Sequence, residues 1–409
     1  MTSERRAALR LCAIVAAISI GALAACQAPA PLKPPPPPPP PPEPAAPHQL
    51  SADQPDFLRL PNLESGKTPL RVGIILPFTN APAGTRALAG AMLKAAELAL
   101  YDSGDRDMVL MTADDSAKPE DAAAAADKLL AQGAEVIVGP LFAGSVSAVA
   151  PVARDRGVPV IAFSTDRSVA GHGVYLLSFQ LQNEIQRVIS YAAQQGHKTF
   201  AAMIPSTSYG QASEQAFREA VAQAGGAVGD VEHFSPGGSV MDQTTALAKT
   251  NPDAVFIAQG GAMLRSIAPT LAYNFADPAK VKLLGTGLWD DAAITREPSL
   301  TGGWFAAPAP DADRNFMEKY REAFGSQPPP LAALAYDAIS LVALLGAGQP
   351  YHRFTEAALT DPNGFEGVDG IFRFKADGAI ERGLAVLAVR AGGFDVVSPA
   401  PTTFETKGT

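Results

Sequence analysis

The sequence predicts an α/β protein whose body forms two lobes, each a mostly parallel sheet flanked by helices. From residue 69 onward, short β-branched segments alternate with alanine-rich segments of helical length. The same alternation starts again near residue 199, which indicates a second lobe built in the same way. Parallel strands need a helix-length crossover between them, so this alternation favours parallel sheets with helices on both faces.

The first series lies between residues 71 and 162. Its strand segments are rich in Val and Ile, and the segments between them are rich in Ala. Predicted strands cover residues 71–76, 108–111, 135–138 and 158–162, and predicted helices cover 83–101, 118–132 and 145–156.

The second series is followed by two helices and a hairpin. Predicted strands cover residues 199–204, 227–233, 254–258 and 282–285, and predicted helices cover 183–195, 213–224, 241–249, 262–273, 314–324 and 331–345. The apolar stretch 331–348 contains Asp337 and lacks flanking positive charge, so it predicts a buried helix and not a membrane span. The pair Asp377-Gly378 lies between two apolar-rich segments and predicts a β-hairpin.

The N-terminus has the pattern of an export signal. Three arginines lie in the first ten residues, and residues 11–25 form an uncharged apolar run that is too short to span a membrane. The run ends in Leu-Ala-Ala before Cys26, which resembles a bacterial lipobox. We therefore predict a signal peptide over residues 1–25 and lipidation of Cys26; the alternative is an ordinary signal peptide with an incidental cysteine. Residue 27 is Gln and not Asp, and resemblance to Gram-negative lipoproteins then implies a lipid anchor in the outer membrane, facing the periplasm.

A proline-rich segment follows the lipobox. Of the 37 prolines in the chain, 13 lie between residues 27 and 50, and nine of them are consecutive, at 34–42. Such a run adopts polyproline II geometry, which makes a stiff rod of roughly 28 Å at about 3.1 Å per residue. We predict that residues 26–68 are a lipid-anchored linker; the alternative is a docking ligand for an aromatic groove.

Composition excludes several classes of function. Both cysteines lie in the first 26 residues, so the body has no disulfide, thiolate metal site or cysteine nucleophile. The 32 basic and 41 acidic residues give a net charge of -9, which argues against nucleic acid as a partner. The five histidines have no metal-site or catalytic-triad spacing, so we predict a protein that is not an enzyme and that has no metal and no cofactor.

Seven short segments match, in order, the type I periplasmic-binding-protein family, and specifically its leucine/isoleucine/valine-binding branch. They occupy residues 72–77, 114–119, 136–140, 157–162, 208–210, 335–338 and 372–378, which together span the body. This resemblance implies two lobes joined by three crossovers, near residues 179–181, 306–311 and 363–367, with a ligand cleft between the lobes. Lobe 1 would then comprise residues 69–181 and 309–364, lobe 2 residues 182–308 and 365–398, and the tail residues 399–409.

The resemblance also implies ligand-binding residues. In amino-acid binders of the family, hydroxyls that match Ser145 and Thr165 hold the ligand carboxylate together with neighbouring backbone N–H groups, and Ser164 adjoins this position. The alternatives are that Ser145 caps the helix it begins and that Ser164 and Thr165 form an ordinary turn.

Two further candidates lie in the second series. Tyr209 matches a tyrosine whose ring packs on the ligand, although the preceding residue is Ser208 where the family has Asp. Asp290, or its neighbour Asp291, is a candidate partner for a ligand ammonium group; the alternative is that both are exposed loop acids beside Trp289.

Two functions of this fold fit the sequence. We predict an activator of a penicillin-binding protein, which would stimulate a peptidoglycan synthase from the outer membrane. A lipid anchor and a stiff linker favour this function, because an importer subunit in a Gram-negative periplasm is usually free. The alternative is a solute-binding lipoprotein of an ABC transporter, which would close on a small, leucine-like amino acid and dock on a membrane permease.

Overall fold

The computed structural model describes residues 57–60, 68–105 and 107–404 of the 409-residue chain. The predicted signal peptide, the lipidation site Cys26 and the run of nine prolines lie outside these residues, and their roles stay predictions.

The first sheet has six strands in the order β1-β3-β2-β4-β5-β6, and only β1 pairs antiparallel to its neighbour. Its strands are β1 (Phe57–Arg59), β2 (Leu70–Leu76), β3 (Met108–Asp114), β4 (Val136–Val138), β5 (Val160–Ala162) and β6 (Val174–Leu176). Its crossover helices are α1 (Ala83–Ser103), α2 (Pro119–Ala131) and α3 (Ala143–Asp155). All seven residues of β2 are buried, as expected of a central strand covered on both faces.

Local sequence sets the ends of these helices. Helix α1 stops at Gly104, whose left-handed backbone conformation ends a helix at low steric cost. Helix α2 begins with Pro119, a residue that fits the first turn of a helix. Glu120 and Asp121 follow it in the same turn, where negative charges are favoured by the helix dipole.

The chain then enters the second sheet, whose first five strands are all parallel. They are β7 (Thr199–Pro205), β8 (Ala227–Phe234), β9 (Ala254–Ile257), β10 (Lys282–Gly285) and β11 (Trp304–Ala307). The accompanying helices are α4 (Leu181–Gln194), α5 (Ser208–Gln223), α6 (Met241–Thr250) and α7 (Gly261–Asn274).

Three helices and a hairpin return to the first lobe. They are α8 (Arg314–Phe324), α9 (Ala332–Leu345), α10 (Glu356–Leu359) and the antiparallel pair β12 (Phe372–Phe374) and β13 (Ile380–Arg382). Side chains from α8, α9 and this hairpin share a core with α1 and the first sheet. Within the described residues, no helix combines the length and the apolarity that crossing a membrane requires.

The last two strands complete the second sheet. They are β14 (Ala385–Arg390), which pairs antiparallel with β11, and β15 (Gly393–Ser398), which pairs antiparallel with β14. The full order is β15-β14-β11-β10-β9-β7-β8. The predicted architecture of two α/β lobes is thus confirmed.

The third connection between the lobes differs from its predicted place at residues 363–367. Phe372 and Phe374 are buried in the core of lobe 1, where Phe374 packs against Tyr175 with ring centroids 5.4 Å apart. The chain joins the second sheet only after β13, near Gly383. The predicted boundary of lobe 2 at residue 365 is therefore too early, because the aromatic residues of the hairpin fill the first core.

Candidate functional site

A cavity of about 1000 Å³ lies between the two lobes. Its wall includes Thr165 after β5, Tyr209 after β7 and the segment 287–290 after β10, so it collects the carboxyl ends of strands from both sheets. Loops at these ends converge in open α/β sheets, which is where such folds bind ligands. Residues 307–313 of the second connection form another part of the wall.

Tyr209 is positioned by the tight start of α5. The hydroxyl of Thr207 accepts a hydrogen bond from the N–H of Gly210 at 3.1 Å and caps the helix. A Cβ atom on Gly210 would lie 1.8 Å from the carbonyl oxygen of Pro205, so only glycine allows this approach of helix to strand. The Tyr209 hydroxyl lies 3.4 Å from the Thr286 hydroxyl, which joins the ends of β7 and β10 at the cavity.

Asp290 is positioned by a buried tryptophan. The indole N–H of Trp289 donates to the carbonyl oxygen of Gln259 at 3.0 Å, and its ring fills the space where a side chain on Gly285 would be. The loop is thereby fixed with Asp290 on the cavity wall. Burial raises the pKa of Asp290, and the nearby charges of Asp313 and Asp291 raise it further.

Glu184 is a wall residue that the sequence did not single out. It lies in the first turn of α4, and its Oε2 accepts a hydrogen bond from the N–H of Gly287 at 2.9 Å. Burial raises the pKa of Glu184 to about 7. In the sequence, a single glutamate in the first turn of a helix does not indicate a binding site. Only the fold brings Glu184 beside the β10 loop.

Asp369 is a second wall residue that sequence reasoning missed. Burial raises its pKa to about 6, Arg382 opposes this shift, and Asp313 adds to it. The Arg382 guanidinium is buried behind Asp369, stacks over Phe179 at 4.6 Å and donates through Nε to the carbonyl oxygen of Ser178 at 3.1 Å. Asp369 follows no predicted strand, so its place at the cleft depends on the hairpin that returns to lobe 1.

The five predicted ligand-binding residues divide into two groups. Thr165, Tyr209 and Asp290 line the cavity, whereas Ser145 and Ser164 do not. Ser145 is 1% exposed and lies in the first turn of α3. Phe142 occupies the N-cap position of this helix and makes no side-chain cap, so Ser145 is not the capping residue. The Ser164 hydroxyl accepts a hydrogen bond from the N–H of Asp166 at 3.1 Å, as in an ordinary turn. Ligand contact by any of the five stays a prediction.

Comparison with known families gives a match over most of the body. The family model described as periplasmic binding protein matches residues 69–393. The uncharacterized protein RP748 of Rickettsia prowazekii (strain Madrid E) is 20% identical over 186 residues, which are 46% of this chain and 49% of that protein. The matched region thus spans about half the length of this curated relative.

Solved structures of bacterial transport proteins share the fold. A candidate branched-chain amino acid ABC transporter from Rhodospirillum rubrum matches with a TM-score of 0.70 and 22% identity, over 80% of this chain and 100% of that chain. Leucine binding protein LivK from Thermotoga maritima matches with a TM-score of 0.53 and 20% identity, over 81% and 98% of the two chains. A solute binding protein from R. palustris in complex with benzoate matches with a TM-score of 0.54 and 19% identity, over 81% of this chain and 97% of that chain.

These identities are below 25%, so the solved structures establish the fold alone. The resemblance to the type I periplasmic-binding-protein fold, drawn from seven short segments, is confirmed.

Proposed function

The chain belongs to the periplasmic binding protein family, and on this premise we propose that its body is a receptor for a small solute, which the two lobes enclose by closing about their three connections. One observation carries the proposal. The cavity between the lobes takes Thr165 from one sheet and Tyr209 and Asp290 from the other, so a ligand there contacts both lobes at once.

Contacts from both lobes give the ligand a means to favour closure. A solute that touches Thr165 on one side and Tyr209 on the other makes more contacts when the lobes approach, and it therefore binds the closed form more tightly. The Tyr209 ring offers an apolar face to the solute, while its hydroxyl is held beside Thr286. The role is binding and not catalysis.

We propose that the closed receptor delivers its solute to a membrane permease, as the solute-binding component of an ABC transporter. The names of the similar solved proteins refer to leucine and benzoate, which are small molecules of a size that a cavity of about 1000 Å³ accommodates. Lipidation of Cys26 would keep the receptor in the periplasm, at a membrane surface.

The proposal is tested by calorimetry with the full mature chain against a panel of amino acids, aromatic acids and amines. We expect at least one solute to bind with a Kd below about 100 μM, and Tyr209→Ala to weaken it at least tenfold. Tyr273→Ala is the matched control, because Tyr273 is 81% exposed and lies outside the cavity wall. If no solute binds, or if both variants weaken binding equally, the body is not a receptor of this kind.

A second candidate is the activator of a penicillin-binding protein, anchored in the outer membrane. It is favoured by the predicted lipobox, by the run of nine prolines, which predicts a stiff rod, and by the replacement of the family's Asp by Ser208 before Tyr209. The mature chain on beads, exposed to detergent-solubilised envelope, would then retain a bifunctional peptidoglycan synthase. Retention that survives Tyr209→Ala would favour the activator, because a partner on the outer surface does not need the cleft.

A further inference from the structure

The wall of the cavity has an excess of carboxylates. Among the residues that the structure describes, six acidic side chains and one basic side chain, that of Arg167, line the cavity. Arg167 already pairs with Asp377, with Nη2 and Oδ2 3.3 Å apart. The six acids are Asp166, Glu184, Asp290, Asp311, Asp313 and Asp369.

Three of these acids already have partners in the protein. Asp166 accepts a hydrogen bond from the N–H of Ser168 at 2.9 Å, and Glu184 accepts one from Gly287. Asp311 forms an ion pair with Arg314. In the described part of the chain, the side chains of the remaining three make no hydrogen bond or ion pair; we call Asp290, Asp313 and Asp369 the cleft carboxylates.

Asp369 points to a ligand independently of the charge excess. Its side chain is 9% exposed, it lines the cavity, and its Oδ2 has no hydrogen-bond partner among the described residues. A buried carboxylate oxygen without a donor is costly, because it has lost its hydrogen bonds to water and has no donor in their place. A ligand donor that reaches Asp369 as the lobes close would satisfy this oxygen.

The cleft carboxylates come from three different parts of the fold. Asp369 belongs to lobe 1, Asp290 to the β10 loop of lobe 2, and Asp313 to the second connection. All three line the same cavity, and the charge of Asp313 raises the pKa of both Asp290 and Asp369. Arg382 attracts Asp369 from behind, but it also faces Asp337, so one positive charge serves two carboxylates. Closure of the lobes would bring these negative charges closer together and increase their repulsion. A cation between them would offset that repulsion.

The wall also disfavours an anionic ligand. Of the two hydroxyls that the family resemblance assigns to a ligand carboxylate, those of Ser145 and Thr165, only that of Thr165 lines the cavity. The rest of the wall is largely apolar and includes Phe179, Leu288 and Pro308. Such a wall suits the aliphatic part of a molecule whose charged groups are ammonium ions.

We infer that the cleft selects a small organic cation, an aliphatic amine with more positive than negative charge, and that Asp290, Asp313 and Asp369 hold its ammonium groups between the lobes. This inference rests on the proposed role as a solute receptor. It adds the class of solute and makes neutralisation of the cleft carboxylates a condition for closure.

The test is calorimetry of the full mature chain with putrescine, spermidine, leucine and benzoate as probes. We expect putrescine or spermidine to bind at least tenfold more tightly than leucine and benzoate. Asp313→Asn and Asp369→Asn should each weaken the amine at least tenfold, with an unchanged cooperative melting transition. Asp230→Asn is the matched control, because it removes one charge from an exposed position outside the cavity wall and should change the Kd less than twofold.

The outcomes separate this inference from the function on which it rests. If leucine or benzoate binds and depends on Tyr209 while neither amine binds, the receptor function stands and the cationic selectivity is wrong. If Asp230→Asn weakens amine binding as much as Asp369→Asn does, the binding reflects the overall charge of the protein. That result also overturns the inference. If none of the four probes binds, and the wider solute panel also fails, both the receptor function and its selectivity fail.

Discussion

The carboxylate of Glu184 accepts a hydrogen bond from the backbone N–H of Gly287 at 2.9 Å. This contact joins the helix that follows the first connection between the lobes to the loop that carries Asp290. The position of the Asp290 loop therefore depends on a titratable side chain of lobe 2, and we expect its protonation to affect stability.

Glu184→Gln should change the pH dependence of unfolding. The pKa of Glu184 is raised by burial from 4.5 to about 7, so the folded state holds its proton more tightly than the unfolded chain. Its stabilising contribution is fully present below pH 4.5 and is lost as the pH rises to about 7. Glutamine can still accept the hydrogen bond from the N–H of Gly287, but it does not titrate. Between pH 4.5 and pH 8 we therefore expect the free energy of unfolding of the variant to rise by about 1 to 3 kcal/mol relative to that of wild type.

Denaturant unfolding at several pH values measures this difference. Glu322→Gln is the control, since Glu322 is exposed and should leave the pH profile unchanged. A Glu184→Gln profile parallel to that of wild type would show that Glu184 titrates normally.

Gly210→Ala should destabilise lobe 2 and weaken ligand binding. The added Cβ would lie 1.8 Å from the carbonyl oxygen of Pro205, so the start of α5 must shift and move Tyr209 with it. We expect a loss of about 1 to 3 kcal/mol in the free energy of unfolding. Gly90→Ala in α1 is the matched control: apart from the neighbouring backbone of its own helix, no heavy atom lies within 4 Å of the added Cβ, and the substitution should stabilise the chain by about 0.5 to 1 kcal/mol. Equal effects of the two substitutions would contradict the packing described for Tyr209.

Phe374→Ala should destabilise lobe 1, although the residue lies late in the chain. Its ring is buried in the first core and contacts Tyr175, so its removal leaves a cavity that costs about 3 to 5 kcal/mol. Hydrogen exchange should accelerate in β5 and β6 more than in β14. Faster exchange in β14 alone would instead place the hairpin in lobe 2.

The predictability of this chain differs between its fold and its site. Long, strongly patterned elements such as β2 and α1 were predicted to within two residues at each end, because apolar segments and alanine-rich segments differ over many positions. The three-residue strands β1 and β6 were missed, because they lack the consecutive β-branched residues that indicated the equally short strands β4 and β5. Asp313 and Asp369 were missed for another reason: they reach the same cavity wall only when the second connection and the segment before β12 meet at the cleft.

Cys26→Ala should release the protein from the membrane. If Cys26 is the lipidation site, the variant has no acyl chains and moves from the membrane pellet to the soluble fraction. Cys12→Ala is the control, because Cys12 lies in the predicted signal peptide and should leave the distribution unchanged. Membrane association that survives Cys26→Ala would exclude Cys26 as the anchor.

A receptor that closes on its solute shortens the distance between its two lobes, and spin labels can measure that distance. Cysteines at the exposed positions Ser168 and Gln211, in a chain without Cys12 and Cys26, would carry spin labels on opposite sides of the cleft. With the tightest-binding solute of the panel, we predict that the distance between the labels shortens by several ångströms, and that Tyr209→Ala requires at least tenfold more solute for the same change. A distance that stays constant at saturating solute would contradict the account.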